Sequence, residues 1–349
     1  MTDHIASGGR VRRPTIRDVA ALAGVSHQTV SRVINGEHNV RPQTRARVLK
    51  TIEEINYVPS PLARGLLANR THCIGMVTTD VSDHSFAEAV AGAEKEARRR
   101  GYYLMVASVE ETAPEDGSGY LRLLLERRIE GLILARAHGA SEQLVAAGDA
   151  GIPIVTIGPQ VGDHSAVDVD NLGAAREAVA YLLGRGHRAI AMVTGPADWP
   201  AVQSRIAGYE AAHEEWGAAP LEGLVEHAVD WSPVSGQAAT SRLLSRGGSF
   251  TALFAHSDLL ALGAVRELRA HGLDVPRDVS VVGFDDVAVA AFVDPPLTTV
   301  RQPMHDVGAL AASLVIGEAT DRGRGRKRTH LIPATVVARE SVLPLARTP

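Results

Sequence analysis

Between Gly24 and Gly36 the chain carries a cluster of polar side chains with an obvious chemistry: Ser26, His27, Gln28, Thr29, Ser31, Arg32 and Asn35. A Gln amide matches the N6/N7 edge of adenine, and an Arg fork matches O6 and N7 of guanine. Ser26, Thr29 and Asn35 suit phosphate oxygens, contacts that set register without carrying sequence information. Further along, Asp285 and the pair Ser257-Asp258 each directly follow an apolar run, as does Arg136 after Ala135. Such positions fall at the carboxyl ends of strands, where open α/β sheets bind small molecules. Asp258 serves equally well as a helix cap. Trp199, Trp231 and Phe86 are candidates for stacking against a ligand or for plain packing. They are conspicuous in a chain only 4% aromatic. No nucleophile–base–orienter triad, phosphate loop or HExxH pattern is present, and the fourteen His lack metal-ligand spacing. The sequence therefore calls for binding without catalysis and for no cofactor or metal.

The elements that must position these residues are legible. Thr15-Ile16-Arg17-Asp18 forms a capping box that opens a helix continuing through Val19, Ala20, Leu22 and Ala23, and Gly24 ends it. Ser26 caps a second helix with Val30, Val33 and Ile34 at helical spacing, stopped by Asn35-Gly36. Pro42 suits the first turn of a third, with Val48, Leu49, Ile52 and Ile55 on one face. Two short helices joined by a tight Gly-containing turn, followed by a third, predict a helix-turn-helix. The N-terminal end of its second helix would meet base edges in the major groove, with His27, Gln28, Ser31 and Arg32 facing out.

From residue 73 the rhythm changes to alternating strands and helices. Strands are predicted at 73–79, 102–108, 131–135 and 153–157, and again at 189–194, 224–228, 251–255 and 279–284. Helices fall between them at 86–100, 171–185, 201–216 and 258–271. This alternation means parallel sheets covered on both faces, in two series and hence two lobes.

Charge supports a division of labour. The 349 residues carry a formal net charge of −4, yet residues 1–70 hold eleven Lys/Arg against five Asp/Glu, a surplus of six positive charges, and the remaining 279 therefore carry −10. A basic head on an acidic body is expected where one end meets a polyanion. One cysteine, Cys73, leaves no intrachain disulfide and fits a reducing, cytoplasmic setting. The first residues lack an apolar signal-peptide core, and no run of 18 apolar residues predicts a membrane span.

The run Thr15-Ile16-Arg17-Asp18-Val19-Ala20, then Gly24-Val25-Ser26 and Thr29-Val30-Ser31-Arg32-Val33-Ile34-Asn35, resembles the lactose/galactose repressor (LacI/GalR) family of bacterial regulators. So do Thr44-Arg45, Asn56-Tyr57-Val58-Pro59, Asp258-Leu259-Leu260-Ala261-Leu262-Gly263, Val281-Val282-Gly283-Phe284-Asp285-Asp286, Pro296-Leu297-Thr298-Thr299 and Ala338-Arg339-Glu340-Ser341, so the likeness spans the chain. The resemblance implies an all-α helix-turn-helix domain over 1–59, a hinge helix over 60–70 and a two-lobed α/β body, similar to periplasmic sugar-binding proteins, over 71–349. Its lobes would be roughly 71–165 with 302–326 and 166–301 with 327–343, linked by three crossovers. Thr15 and Tyr57 join the DNA-contacting set, and Leu66 would wedge into a central minor-groove step. Arg205 matches an effector-binding position, and its fork of donors suits sugar hydroxyls or a carboxylate. The pocket would comprise Phe86, Arg136, Trp199, Arg205, Trp231, Asp258 and Asp285. At Gly158, where many sugar-responsive members carry a polar contact, this chain has no side chain.

The implied function is a homodimeric repressor on a near-palindromic operator, its DNA affinity lowered by a small-molecule effector, a sugar first. The alternative is a corepressor-responsive regulator binding a purine-like metabolite. The chain ends soon after Ser341 with no leucine heptad, an expectation of dimers.

Overall fold

In the computed structural model the described residues are 14–34, 36–37, 39–57, 70–78, 81, 83–108, 114–135, 151–247, 249–321 and 328–345. The chain divides into two compact units, Met1–Thr71 and His72–Pro349.

The first unit holds α1 (Ile16–Ala23), α2 (His27–Ile34) and α3 (Pro42–Glu54). Both halves of the Thr15/Asp18 capping box form, tying two otherwise orphaned donors at the start of α1. Gly24 ends α1 in the left-handed region at φ 60°, which costs glycine nothing and turns the chain sharply into α2. Val19, Ala20, Ala23, Val30, Val33 and Val48 form the small core. Leu22 and Leu49, assigned to the apolar faces from sequence, are instead exposed, because the buried stripe of each helix is narrower than its apolar content.

In the second unit, β1 (Cys73–Thr78), β2 (Tyr103–Ser108), β3 (Leu132–Ala135), β4 (Ile154–Ile157), β5 (Ser165–Val169) and β11 (Thr329–Ile332) form one parallel sheet, ordered β11-β5-β4-β3-β1-β2. A second parallel sheet is ordered β7-β6-β8-β9, from β6 (Ile190–Thr194), β7 (Val225–His227), β8 (Ala252–Ala255) and β9 (Ser280–Val282). The short strands β10 (Thr299–Arg301) and β12 (Thr335–Val337) pair antiparallel.

Strand periodicity explains how helices cover both faces. Ile74 and Met76 of β1 join a core with Ala89, Ala93 and Ala97 of α4 (His84–Arg99) and Val307, Ala311 and Val315 of α10 (Met304–Asp321). Val77, one residue out of phase, packs with Leu121 and Leu124 of α5 (Pro114–Glu126) on the other face. In the second sheet Met192 and Phe254 meet α6 (Asn171–Leu183) and α7 (Pro200–Glu215), while Val193 and Leu253 meet α8 (Pro233–Ser245) and α9 (Asp258–Ala270).

The expected lobe limits near 165 and 326 fall ahead of two strands that hydrogen-bond in the first sheet. Ser165–Val169 and Thr329–Ile332 pair with each other there, so the chain changes lobe after 169, between 301 and 304, and after 332.

Candidate functional site

On α2, His27, Gln28 and Arg32 are exposed and Ser31 is half-buried, so the helix presents its polar edge outward while Val30 and Val33 anchor it. The Ser26 hydroxyl accepts from the Thr29 N–H at 3.2 Å and lies 3.0 Å from the Thr29 hydroxyl, capping the helix at the end that would enter a groove. The Thr15 hydroxyl is engaged by Asp18 at 2.7 Å within the capping box. Arg32 lies 3.8 Å from Glu37 in an exposed ion pair. Such a pair contributes about 0–1 kcal/mol and yields readily to a nucleic-acid acceptor. Arg45 donates to the carbonyls of Val33 and Glu37 and so braces the end of the reading helix. Tyr57 is half-buried against the three-helix core. Asn35, Leu66 and Arg136 lie outside the described residues, as do residues 60–69 of the hinge expected over 60–70.

The body contains a cleft of ≈ 320 Å³ between the two sheets, at the carboxyl ends of their strands. Five of the residues singled out from sequence, Phe86, Trp199, Arg205, Trp231 and Asp285, line it. Arg205, on α7, is buried, with Nε donating to Asn171 Oδ1 at 2.9 Å and Nη1 to the His256 carbonyl. Its guanidinium lies over the Phe284 ring, 3.6 Å from the centroid. Burial lowers its pKa to about 10, opposed by the nearby Asp285, Asp168 and Asp83 carboxylates, so it stays cationic at neutral pH. The side chain is thus clamped on two sides and by one face, and its remaining donors are left for a ligand.

Asp285 follows β9 at φ 116° and Asp286 at φ 59°, both in the left-handed region that β-carbon sterics disfavour. The turn is held by Asp286, which accepts from Arg301 at 2.6 Å and from Arg339 at 2.5 Å. Strain of this kind persists where surrounding contacts over-determine it. Its effect here is to aim Asp285 at the cleft, where Gln302 donates to it at 2.5 Å. Burial pushes the Asp285 carboxyl well above its ordinary range, with Arg205 opposing the shift. Trp199 and Trp231 meet edge to face, 5.2 Å between centroids at 72°. Among the described residues the buried Trp231 Nε1 has no acceptor.

Asp258 departs from its expected role. It is buried away from the cleft lining, with Oδ1 accepting from the Thr299 hydroxyl at 2.5 Å and Oδ2 from the Val287 N–H at 2.9 Å. Its neighbour Ser257 caps α9 and lines the cleft instead. Asp258 is therefore a latch between α9, the segment after β9 and β10. Asp258→Ala leaves the buried Thr299 hydroxyl and the half-buried Val287 N–H unpaired, and is expected to destabilise the body by about 2–4 kcal/mol, read as a lowered Tm in calorimetry. An unchanged Tm would remove the latch.

Sequence reasoning missed Asp83, Asp168, Asn171 and Gln302, all of which line the cleft. The signal for Asp168 and Gln302 is their place at or just after a strand, but β5 and β10 are too short to stand out by alternation alone.

Residues 15–60 match the model for bacterial regulatory proteins of the lacI family, and residues 179–342 match a periplasmic binding protein-like domain. The HTH-type transcriptional regulator CelR of Thermobifida fusca is 38% identical over 336 residues, covering 93% of this chain and 98% of that protein. The chain belongs to the LacI family. Other LacI-family relatives include the PurR repressor of Aliivibrio fischeri (strain MJ11), 36% identical over 94% of this chain and 98% of its own length. The ribose operon repressor of Escherichia coli (strain K12) is 35% identical over 91% and 97%. Among solved LacI-family structures, the Lac repressor dimer bound to operator and the anti-inducer ONPF superposes with TM-score 0.86 at 30% identity, over 95% of this chain and all of that one. A CelR–cellobiose complex superposes with TM-score 0.72 at 36% identity, over 94% and 100%. No helix among the described residues is long and apolar enough to cross a membrane.

Proposed function

We propose that this LacI-family member is an operator-binding repressor whose affinity for DNA falls when a sugar occupies the cleft. The observation that carries the reading is the cleft itself: a clamped Arg205 and a turn-aimed Asp285 set against Trp199, Trp231 and Phe86. Alternating donors and acceptors beside aromatic faces suit a ring with apolar CH faces and a rim of hydroxyls. One solved neighbour is a CelR–cellobiose complex, which supports a sugar in the cleft.

The DNA side rests on the exposed edge of α2, where His27, Gln28 and Arg32 face outward. His27, Gln28, Ser31 and Arg32 face the base edges, Ser26 and Thr29 meet phosphates, Thr15 belongs to the same contact set, and two copies occupy half-sites of a near-palindrome. Asn35, Tyr57 and Leu66 complete the proposed contact set, with Leu66 in the hinge at 60–70. The protein acts in the cytoplasm, and the cleft binds without chemistry. Sugar and operator are coupled through the lobes, so each weakens the other by the same factor.

Anisotropy of a labelled promoter fragment, titrated with the full-length protein in cellobiose, ribose or purine bases, tests this. A sugar that raises the operator Kd supports the reading. A purine base that lowers it while sugars do nothing would establish corepression instead.

A further inference from the structure

Gly158 leaves the first lobe without a side chain at its point on the cleft wall, and the structure shows what stands beside it. In the β4–β5 ladder Thr156 pairs with Ala166 and Ile157 with Val167, and the Gly158 N–H donates to the Val167 carbonyl at 2.9 Å. One step further in the same parallel register brings Gly158 level with Asp168. Residues level with each other on parallel strands project to the same face. Gly158 itself sits at φ 111° with open space where a Cβ would be. The gap is therefore a real recess, and the next side chain along the wall is the Asp168 carboxylate, which lines the cleft.

Asp168 is also held for the purpose. Its Oδ1 accepts from the Val169 N–H at 2.8 Å, fixing the carboxylate, and no donor among the described residues reaches its other oxygen. The remaining first-lobe carboxylate on the cleft, Asp83, has Oδ1 engaged by the Ser85 and Phe86 N–H groups at the start of α4. Arg205 and Asp285 belong to the second lobe. The described cleft lining thus sets Asp83, Asp168 and Asp285 against the single guanidinium of Arg205, with His84 alongside. Burial raises Asp168 to about 6, leaving it ionised at neutral pH.

We propose that Asp168 is the first-lobe contact that completes the effector site: it accepts a hydroxyl hydrogen bond from a ligand held on the other side by Arg205 and Asp285. The bound molecule thereby bridges the lobes, and the excess of carboxylates selects a neutral polyhydroxylated ligand over its carboxylated or phosphorylated form. The inference rests on the sugar reading above and adds the residue and the charge selectivity. A like charge placed against fixed carboxylates in a half-buried cleft is disfavoured strongly enough to act as a filter.

The test is intrinsic tryptophan fluorescence of the full-length protein at pH 7.5, reporting on Trp199 and Trp231. It is titrated with cellobiose, glucose and ribose and with cellobionate, glucose 6-phosphate and ribose 5-phosphate. The wild type is expected to bind at least one neutral sugar about tenfold or more tighter than its acidic counterpart. Asp168→Ala and Asp168→Asn are each expected to weaken that sugar by about tenfold or more, the loss of a charge-assisted hydrogen bond. Asp168→Asn keeps the volume of the side chain, guarding against a folding defect in the alanine variant. It is also expected to narrow the neutral-to-acidic ratio, which a merely structural role would not move. Neutral-sugar affinity unchanged within twofold in both variants overturns the role of Asp168 and leaves the sugar reading standing. A wild type that prefers the acidic forms overturns the selectivity. If none of the six compounds binds, the sugar reading falls and this inference falls with it.

Discussion

Arg205→Ala yields a protein whose complex with its operator is no longer dissolved by the sugar that releases the wild type. The size of the effect follows from burial. The guanidinium lies on Phe284, is tied to Asn171 and to the His256 carbonyl, and sits amid the fields of Asp285, Asp168 and Asp83. Truncating one partner of a buried, hydrogen-bonded charge pair costs about 2–5 kcal/mol of binding, or roughly 30- to several-thousand-fold. Part of that is the penalty of leaving the carboxylates uncompensated. Arg205→Lys does not rescue it, because an ammonium is a point charge and cannot meet Asn171 and the His256 carbonyl in a planar fork while still facing a ligand. The measurement is operator anisotropy against sugar concentration. A variant that still releases DNA at the wild-type sugar concentration would take Arg205 out of the pocket.

Arg32→Ala is expected to cost about 1–3 kcal/mol per half-site and to relax preference at one base pair in each. In a symmetric complex the loss counts twice, so the operator Kd rises by roughly one to four orders of magnitude. Binding to random duplex falls far less, since only a diffuse charge is lost there. Equal weakening on operator and random DNA would show a phosphate contact instead of a base contact. Glu37 gives the complementary handle. It pairs with Arg32 across 3.8 Å in the exposed state, and Glu37→Gln frees the guanidinium at little cost.

Much of this was legible because the signals are local. The Thr15/Asp18 box, Gly24 and Ser26 each fix a helix end through atoms three or four residues away, and the structure uses all three. Runs such as Ile190–Thr194 and Ala252–Ala255 read as strands because both of their faces are buried. What sequence did not reveal depends on distant partners. Ser165–Val169 is short and interrupted by Asp168, and it becomes an interior strand only because Thr329–Ile332 arrives from far along the chain to pair with it. The missed strand displaced the lobe limit and hid Asp168 from the candidate site. Asp258 looked like a cleft acid because it follows a strand, yet Thr299 and Val287, both remote in sequence, claim its oxygens. Arg45 was likewise invisible as a brace for the segment after α2.

The three passages of the backbone between the sheets, at 169–171, 301–304 and 332–335, bear on how such a molecule can be recombined. Neither half of the body is one continuous stretch. Grafting a sugar-facing half from a relative therefore needs several matched splice points, whereas the reading unit can be exchanged at the single joint near Thr71. A lone proteolytic cut at any one passage gives two polypeptides, at least one of which still spans both halves, so packing within each lobe must hold the pieces together. New operators are thus simpler to acquire by fusion than new half-clefts, which must change by substitution in place.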